Sequence, residues 1–479
     1  MSNIKKNIGY QTLYEVLNTC LPLITAPYLA RVLGATQLGI FSHTQSIANY
    51  FVLLAALGVK SYGTRAIAES KKNMEESARI FDEIFSFQLI TATCSTVIYS
   101  LYCLLICRQN TLIAYIQIIS VAACIFDINW LFSGLEKFKI TVMRSTVIRL
   151  ITVSLIFLLV KKPEDLWIYT LLMVGGQFLG IVILWGYIKP LIGGFHFRLH
   201  GIKKHIKPNL YLFIPHMAMS VYHLMDKTML GYISTFEESG YYYNTDKTIN
   251  IPVGVIIGIG TVMLPHITHM ISIGKKDEAN SIFLVSIEGV SVVSIAMTSG
   301  IIAIINEFVP FFFGEGYDPC VFLTTLLSPV LILKGLSLTV RSEYLIPNKK
   351  DRIYINSVIV GAVSNLVANC ILIPGYGATG AVIGTLIAES VSCLWQLVFI
   401  VKEVNVIKSI LKSIPYCLFG SIMVLAVRII ADNIHLSLVY TLLIEIPVGA
   451  IVYMALCALY WKITKNNLFA AFKLAKHRS

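Results

Sequence analysis

Long charge-poor runs alternate with short polar gaps along the whole chain of 479 residues. Each run is long enough for a helix to cross the roughly 30 Å hydrocarbon core of a bilayer, which takes about 20 residues. Lipid offers the backbone no hydrogen bonds, so the runs are predicted to be helices and not open strands. The pattern predicts an all-α integral membrane protein with about fourteen transmembrane helices, over residues 8–33, 38–62, 82–107, 111–133, 141–160, 166–188, 208–233, 241–271, 281–305, 319–346, 353–373, 378–401, 413–431 and 437–461.

The basic residues in the gaps predict the orientation of these helices. With the N-terminus inside, the cytoplasmic gaps and tails hold 27 Lys and Arg, whereas the outer gaps hold three, namely Arg108, Lys161 and Lys162. Cytoplasmic loops of membrane proteins carry an excess of Lys and Arg. Both termini are therefore predicted to lie in the cytoplasm.

A weak internal repeat divides the chain. Residues 30–34 (ARVLG) match residues 227–231 (KTMLG) at an offset of 197, and Leu38-Gly39 matches Ser239-Gly240 at an offset of 201. Six predicted helices separate the two copies, so the copies run in the same direction, as in parallel repeats of secondary transporters. The predicted parts are an N-lobe of helices 1–6 (1–200), a C-lobe of helices 7–12 (201–404), and two extra helices with a basic cytoplasmic tail (405–479).

The composition agrees with a lipid environment. Apolar residues make up 56% of the chain and charged residues 13%, about half the charged share of soluble domains, and the mean hydropathy is +0.75. The net charge of +12 does not indicate nucleic-acid binding, because the charges lie in gaps between apolar runs and not on one soluble face. Nearly all of the ten cysteines lie in or beside apolar runs. Cys320 is the exception, and we expect an impermeant thiol reagent to reach it from outside.

Ionisable residues inside or at the margins of the predicted helices are the first candidates for function. Facing lipid would cost about 2.5–3.5 kcal/mol for each such residue, so most must pair, snorkel or line a wet cavity. We expect Lys60, Arg341, Glu343 and Arg428 to snorkel or to pair near an interface. The full set is Arg31, Lys60, Arg149, Lys227, Lys247, Lys334, Arg341, Arg428, Glu15, Asp127, Asp226, Asp246, Glu288, Glu343, Glu389 and Glu445.

Two smaller groups within this set favour a transport role. Lys334 and Glu389 lie near mid-helix, where snorkelling is hardest, so we expect both to line a cavity, and no acid lies within one helical turn of Lys334. Asp226-Lys227 and Asp246-Lys247 lie at similar depth in consecutive antiparallel helices. These pairs form either a gate or head-group site, or a static lock between the two helices. Asp127, Asp226, Asp246 and Glu389 are the candidates for gating or ion coupling.

Metal binding and catalysis are not indicated. His266 and His269 have an i, i+3 spacing but no evident third ligand, and a proton relay at His216 or His223 is an open alternative. The aqueous gaps contain no nucleophile elbow, phosphate-binding loop or zinc-protease motif, and most are shorter than twenty residues. The sequence thus predicts no catalytic residues, no metal and no cofactor.

Three segments carry a family resemblance that extends over essentially the whole chain. The N-terminal segment of bacterial polysaccharide repeat-unit flippases, of the O-antigen and capsule type, resembles residues 7–41, NIGYQTLYEVLNTCLPLITAPYLARVLGATQLGIF. The start of their second lobe resembles residues 225–267, and their turn between helices eleven and twelve resembles residues 373–390, IPGYGATGAVIGTLIAES. These flippases belong to the multidrug/oligosaccharidyl-lipid/polysaccharide exporter superfamily.

The resemblance implies two six-helix lobes around a central cavity, alternating access, and an undecaprenyl-pyrophosphate-linked oligosaccharide as cargo in the bacterial cytoplasmic membrane. Members often have cationic cavities, which Arg31, Lys227, Lys247 and Lys334 could supply here as substrate-binding residues. Membrane lipid, H⁺ or Na⁺ as a coupling ion and other polysaccharide-assembly proteins are the implied partners. A multidrug or cation exporter of the same fold is the first alternative, and a membrane-embedded polysaccharide polymerase or ligase is the second.

Overall fold

A computed structural model describes the backbone of residues 2–434 and 436–464, with side chains from residue 21 onward except those of residues 215, 216, 218, 219 and 222. The side chains of Glu15 and His216, and the basic tail after residue 464, lie outside this described part. Within it, every element of regular secondary structure is a helix. The predicted all-α class is thus confirmed for the described chain.

The chain divides into two compact units, residues 1–240 (unit 1) and 241–479 (unit 2). This boundary falls one turn into α10, forty residues beyond the predicted lobe boundary at residue 200. It reflects compactness and not the repeat, so the division into 1–200, 201–404 and 405–479 stays a prediction. Up to the boundary the helices are α1 (Ser2–Ala56), α2 (Val59–Ser70), α3 (Met74–Leu105), α4 (Thr111–Phe126), α5 (Asn129–Gly134), α6 (Phe138–Leu159), α7 (Leu166–Ile183), α8 (Lys189–Ile192), α9 (Ile202–Ile233) and the first turn of α10 (Phe236–Ser272).

Unit 2 is built around a long helix of 37 residues, α11. Around it the unit contains the rest of α10, α12–α17 and a π-helical segment, Val340–Leu345, that follows α13 directly. The helices are α11 (Lys276–Phe312), α12 (Asp318–Leu327), α13 (Val330–Thr339), α14 (Asp351–Ile400), α15 (Val406–Lys412), α16 (Ile414–Asn433) and α17 (Leu438–Thr464).

Ten segments of the described chain are long and apolar enough to cross a membrane. Two of them contain 50 residues each, which at 1.5 Å per residue is about 75 Å, more than twice the hydrocarbon thickness. The shorter α4 is also apolar, and α9 is not among the ten. The count of fourteen therefore stays a prediction. The ten are Leu21–Ser70, Met74–Leu105, Phe138–Leu159, Pro163–Tyr187, Phe236–Ser272, Lys276–Phe312, Asp318–Leu345, Asp351–Ile400, Val406–Asn433 and Leu438–Thr464.

Single glycines interrupt the two longest helices where the sequence predicts a change of helix. Gly34 (φ 74°, ψ 171°) breaks α1 between the predicted helices 8–33 and 38–62. Gly377 (φ 51°, ψ −129°) breaks α14 between the predicted helices 353–373 and 378–401. Only glycine adopts such positive φ values without steric cost. Each break therefore separates two helices that the hydropathy pattern already distinguishes.

The glycines matched by the sequence repeat pack against each other's segments. A Cβ on Gly39 would lie 1.7 Å from the carbonyl oxygen of Phe236, and a Cβ on Gly240 would lie 1.9 Å from that of Ala35. The absence of a side chain thus lets α1 and the first turn of α10 touch backbone to backbone.

Two buried carboxylates of α3 hold the linker between α8 and α9 and the first turn of α9. Asp82 accepts hydrogen bonds from the backbone N–H of His196 and from Arg198 Nε, at 2.9 and 3.1 Å. Glu83 Oε2 lies 2.6 Å from Lys204 Nζ and 2.9 Å from His205 Nε2. The longest predicted cytoplasmic gap (189–207) is therefore fixed to unit 1 by ion pairs and hydrogen bonds.

His205 completes this cluster as a neutral imidazole. Burial lowers its pKa below the ordinary value, although the hydrogen bond with Glu83 acts in the opposite direction. A neutral ring has one donor and one acceptor, which matches a bond from Nε2–H to Glu83 and a bond from the Tyr62 hydroxyl to Nδ1, 2.7 Å long. Each polar atom of the ring thus has a partner.

The terminal helices α16 and α17 pack on α11. Arg428 of α16 forms a bidentate ion pair with Glu307 of α11, with N–O distances of 2.7 and 3.0 Å. The Tyr416 hydroxyl donates to Glu288 of α11 at 2.9 Å and accepts from the indole N–H of Trp461. Arg428 is thus paired, one of the two outcomes expected for it.

Two expectations are wrong. Glu343 does not snorkel, because it lies 1% exposed inside unit 2. Cys320 is not accessible either: it is fully buried in α12, and its thiol donates to the Tyr241 carbonyl at 3.6 Å. In both cases neighbouring helices cover a position that the linear pattern places at a helix margin.

Candidate functional site

Lys334 and Glu389 form an ion pair inside unit 2. Lys334 lies on α13 and Glu389 on α14, 55 residues later, and the Lys334 Nζ–Glu389 Oε1 distance is 3.7 Å. The two side chains are 14% and 11% exposed, and this distance is too long for a hydrogen bond. The structure therefore supplies an acidic partner that the sequence near Lys334 lacks. The pair is electrostatic, partly buried and loosely held.

A second cation and a tyrosine lie beside this pair. The Arg341 guanidinium lies 4.5 Å from the centre of the Tyr354 ring on α14. Tyr354 is within electrostatic reach of both Arg341 and Glu389. Lys334, Arg341, Tyr354 and Glu389 thus form a polar cluster within membrane-spanning segments, which we call the α13–α14 cluster. It contains two cations and one acid, so an anionic group of a substrate would be attracted to it.

Glu343 lies two residues after Arg341 in the π-helical segment Val340–Leu345. The Ser286 hydroxyl of α11 lies close enough to interact with this carboxyl group, but neither carboxyl oxygen makes a hydrogen bond of ordinary geometry among the described residues. One weak contact of this kind does not offset the burial of an ionised carboxylate, so we expect this carboxyl group to be neutral. Isolated π-helical turns are frequent at functional sites.

The two Asp-Lys pairs fall in different units. Asp226 is buried and Lys227 half-buried on α9 in unit 1. In unit 2, the Asp246 carboxylate accepts from the Asn250 amide at 2.8 Å, and Lys247 Nζ lies 4.1 Å from the centre of the Tyr243 ring. Each pair is described within its own unit, so a joint four-residue cluster, whether gate or lock, stays a prediction.

The remaining predicted site residues both lie in unit 1. Arg31 is exposed on α1. Asp127 follows α4, and its Oδ1 accepts from the backbone and side-chain nitrogens of Asn129 at 2.9 and 2.6 Å. That is the local hydrogen bonding of an Asx turn at a helix start. The geometry gives Asp127 a structural task at the α4–α5 turn, and its role in gating stays a prediction.

Unit 1 contains a cavity of about 240 Å³ that the sequence patterns do not predict. It lies where α3 turns into α4 and α9 turns into α10. His43 of α1 lines it, whereas the histidines that the sequence patterns single out lie on α9 and α10. Counting His43 with the intramembrane ionisable residues would have identified this position. The lining residues are His43, Thr44, Ile47, Tyr99, Tyr102, Ile106, Cys107, Arg108, Gln109, Ala114, Gly231, Tyr232 and Phe236.

The described residues contain no cluster of three or more His, Cys, Asp or Glu side chains arranged to hold a metal ion. His266 and His269 accordingly remain a pair without a described third ligand. The candidate sites in the described chain are instead ion pairs, buried carboxyl groups and a cavity lined by aromatic and polar side chains.

Long apolar helices that carry ion pairs and buried carboxyl groups define a multi-pass membrane protein. The polysaccharide biosynthesis protein family matches residues 4–271, more than half of the chain. The chain therefore belongs to that family, in agreement with the resemblance seen in the sequence.

Curated relatives and a solved structure extend the comparison to most of the chain. A protein of Escherichia coli strain K12 named as an O-antigen transporter is 23% identical over 404 residues, covering 83% of this chain and 97% of that protein. Its namesake in Shigella dysenteriae is 26% identical over 400 residues, covering 82% and 99%. The lipid II flippase MurJ, in an inward closed conformation, matches with a TM-score of 0.77 and 15% identity, covering 96% of this chain and all of that one. That likeness shows a shared fold.

Proposed function

We propose that this chain is a flippase that moves an undecaprenyl-pyrophosphate-linked oligosaccharide repeat unit across the bacterial cytoplasmic membrane by alternating access. The observation that carries the proposal is membership of the polysaccharide biosynthesis protein family together with a fold shared with a lipid II flippase over 96% of the chain. The relatives named as O-antigen transporters support the same class of cargo.

The chemistry of the cargo agrees with the residues available. Sugars and a pyrophosphate cannot cross hydrocarbon unaided, whereas a polyprenyl tail can stay in it. Cations bind pyrophosphate oxygens through charge-assisted hydrogen bonds. Arg31, Lys227, Lys247 and Lys334 are the cations we propose for this task, and Lys334 would act from within the α13–α14 cluster.

We further propose that the protein acts as a transporter and not as an enzyme, with H⁺ or Na⁺ as the coupling ion. Asp127, Asp226, Asp246 and Glu389 are the acids proposed for coupling or gating. The proposed topology has fourteen transmembrane helices with both termini in the cytoplasm. Other polysaccharide-assembly proteins would supply and consume the lipid-linked repeat unit.

The decisive experiment is complementation of a strain that lacks its own repeat-unit flippase. Expression of the chain should restore surface polysaccharide and remove the lipid-linked precursor that accumulates at the cytoplasmic face. Lys247→Gln should lower the output at unchanged membrane abundance. Lys72→Gln removes an exposed cation outside the predicted helices, and serves as the matched control with normal output.

The same strain separates the alternatives. A multidrug exporter would raise resistance to cationic dyes and leave the precursor inside the cell. A polymerase or ligase would change the chain length or attachment of the polysaccharide without changing the side on which the precursor lies. Either result, with the protein present at normal abundance, would contradict the flippase proposal.

A further inference from the structure

The cavity of unit 1 is lined by residues from five helices or their ends. Its floor and walls come from α1, α3, α4, α9 and the start of α10, and its rim includes the turn between α3 and α4. On the predicted topology this end faces outside. A volume of about 240 Å³ is somewhat below the 300–1,000 Å³ typical of small-molecule sites, so the cavity can hold one ring and not a chain of several sugars.

His43 is a buried polar group of this cavity. It is 7% exposed, and the backbone of Lys227 and Thr228 on α9 lies within reach of its ring nitrogens. Its ring meets the Tyr232 ring edge-on, with 4.7 Å between the centroids, and lies 5.7 Å from that of Phe236. The ring also lines the cavity, so a hydroxyl group of a ligand could form a further hydrogen bond with it.

Gly231 makes room for the histidine. A Cβ at this position would lie 2.0 Å from His43 Nδ1, so any larger residue would displace the ring. The sequence repeat had marked Gly231 as the counterpart of Gly34, but Gly34 serves as a break in α1 and has open space around it. The two matched glycines thus have different tasks, and only Gly231 shapes the cavity.

The lining combines aromatic faces with hydrogen-bonding groups and one cation. The hydroxyls of Tyr102 and Tyr232 are hydrogen-bonded to each other across the cavity wall. Arg108 and Gln109 are exposed at the rim, and no acid is among the lining residues. Glu237 and Glu238 follow Phe236 but do not line the cavity. The lining is therefore amphipathic and its formal charge is +1.

We propose that this cavity is a binding site for a single sugar ring that carries an anionic group, a carboxylate or a phosphate ester. Aromatic side chains offer apolar faces to the C–H groups of a sugar ring, while hydroxyl, amide and imidazole groups bond its hydroxyls. Arg108 would pair with the anionic group through its fork of donors. This proposal rests on the proposed function, because it gives the saccharide part of the cargo a contact on the predicted outer side.

Cys107 provides a native reporter for occupancy. Its half-buried thiol lines the cavity and donates to the Gln109 carbonyl at 3.3 Å. Burial raises the pKa of this thiol, so labelling should be run at or above about pH 8.5, the ordinary thiol value, to supply thiolate. A ligand in the cavity would shield the sulfur from a water-soluble maleimide.

The experiment measures the rate of Cys107 labelling by mass spectrometry, in the full chain reconstituted in nanodiscs. The probes are glucuronate, glucose 1-phosphate, glucose and inorganic phosphate, each at the same concentration. At about ten times the Kd, roughly one site in eleven stays empty, so labelling should slow about tenfold. We expect this with one or both anionic sugars, and the one that protects identifies the anionic group. Glucose and phosphate should leave the rate nearly unchanged.

Arg108→Gln should abolish the protection, and Lys162→Gln is its matched control. Both side chains are exposed cations of predicted outer gaps, but Lys162 does not line the cavity. Cys107→Ser should remove the labelled peptide. Equal protection by glucose or by phosphate alone, full protection in Arg108→Gln, or no protection by any probe would each overturn the proposal.

This outcome is separable from that of the flippase proposal. If polysaccharide export is restored and no sugar protects Cys107, the site proposal fails while the flippase proposal stands. If anionic sugars protect Cys107 and export is not restored, the site stands and the flippase proposal fails.

Discussion

Two buried glutamates, Glu83 in unit 1 and Glu343 in unit 2, show opposite solutions to the same problem. Glu83 is 5% exposed and has a lysine and a histidine within 3 Å of one oxygen. Glu343 is 1% exposed, and its oxygens make no hydrogen bond of ordinary geometry among the described residues, although the Ser286 hydroxyl lies close by. Buried polar groups of folded proteins are nearly always paired. Its ion pair marks Glu83 as a structural anchor of the first turn of α9, and the lack of such a pair among the described residues marks Glu343 as a candidate for function.

The Lys334–Glu389 pair lies between these extremes. Its members have opposite charges and low exposure, but a separation of 3.7 Å gives them attraction without a hydrogen bond. A pair of this kind is more easily opened than the Glu83 cluster. The three carboxyl groups thus differ in how far their neighbours offset the free-energy cost of burying them.

The largest effect should come from Glu83→Gln. Removing one charge of a buried pair costs about 3–5 kcal/mol, and since the Lys204 side chain is 52% exposed we expect a loss near the lower end, about 3 kcal/mol. Fluorescence-detected thermal unfolding of the purified protein should show a clear decrease of the midpoint.

The matched control is Glu136→Gln. Glu136 pairs with Lys71 at 2.7 Å, but the two side chains are 55% and 43% exposed. Exposed ion pairs contribute about 0–1 kcal/mol, so this variant should unfold close to the wild type. Equal destabilisation by both substitutions would show that burial does not determine how much each ion pair contributes to stability.

The sequence predicted the helices better than it predicted their pairing. Hydropathy marks apolar runs because lipid demands them, and the breaks at Gly34 and Gly377 fall between predicted helices. The sequence did not predict the partners of the buried charges. Glu83 meets residues more than 120 positions away, and Glu389 meets Lys334 across 55. Such contacts depend on how helices pack, which local patterns do not encode.

An intermediate effect is expected from Lys334→Gln. Glu389 would lose its partner, but because the pair is loose we expect about 1–2 kcal/mol, less than for a tightly bonded buried pair. Membrane abundance should fall modestly, and the double variant Lys334→Gln with Glu389→Gln should restore it, since neither member of the pair is then left charged without the other.

The double variant also separates structure from transport. If Lys334 binds an anionic head group, polysaccharide output should stay low after abundance has recovered, and Lys334→Arg should retain output. Full output from the double variant at normal abundance would assign the pair to structure alone and remove Lys334 from the proposed substrate site.

The smallest effect should come from Glu343→Gln, which applies the Glu83 substitution to the unpaired glutamate. A carboxyl group that is already neutral loses no ion pair when an amide of nearly the same shape replaces it. We therefore expect the free energy of unfolding to stay within about 1 kcal/mol of the wild type. The measurement is thermal unfolding of Glu343→Gln and Glu83→Gln under the same conditions. A decrease as large as that of Glu83→Gln would show that Glu343 is ionised and held by a partner, and the two glutamates would then be anchors of the same kind.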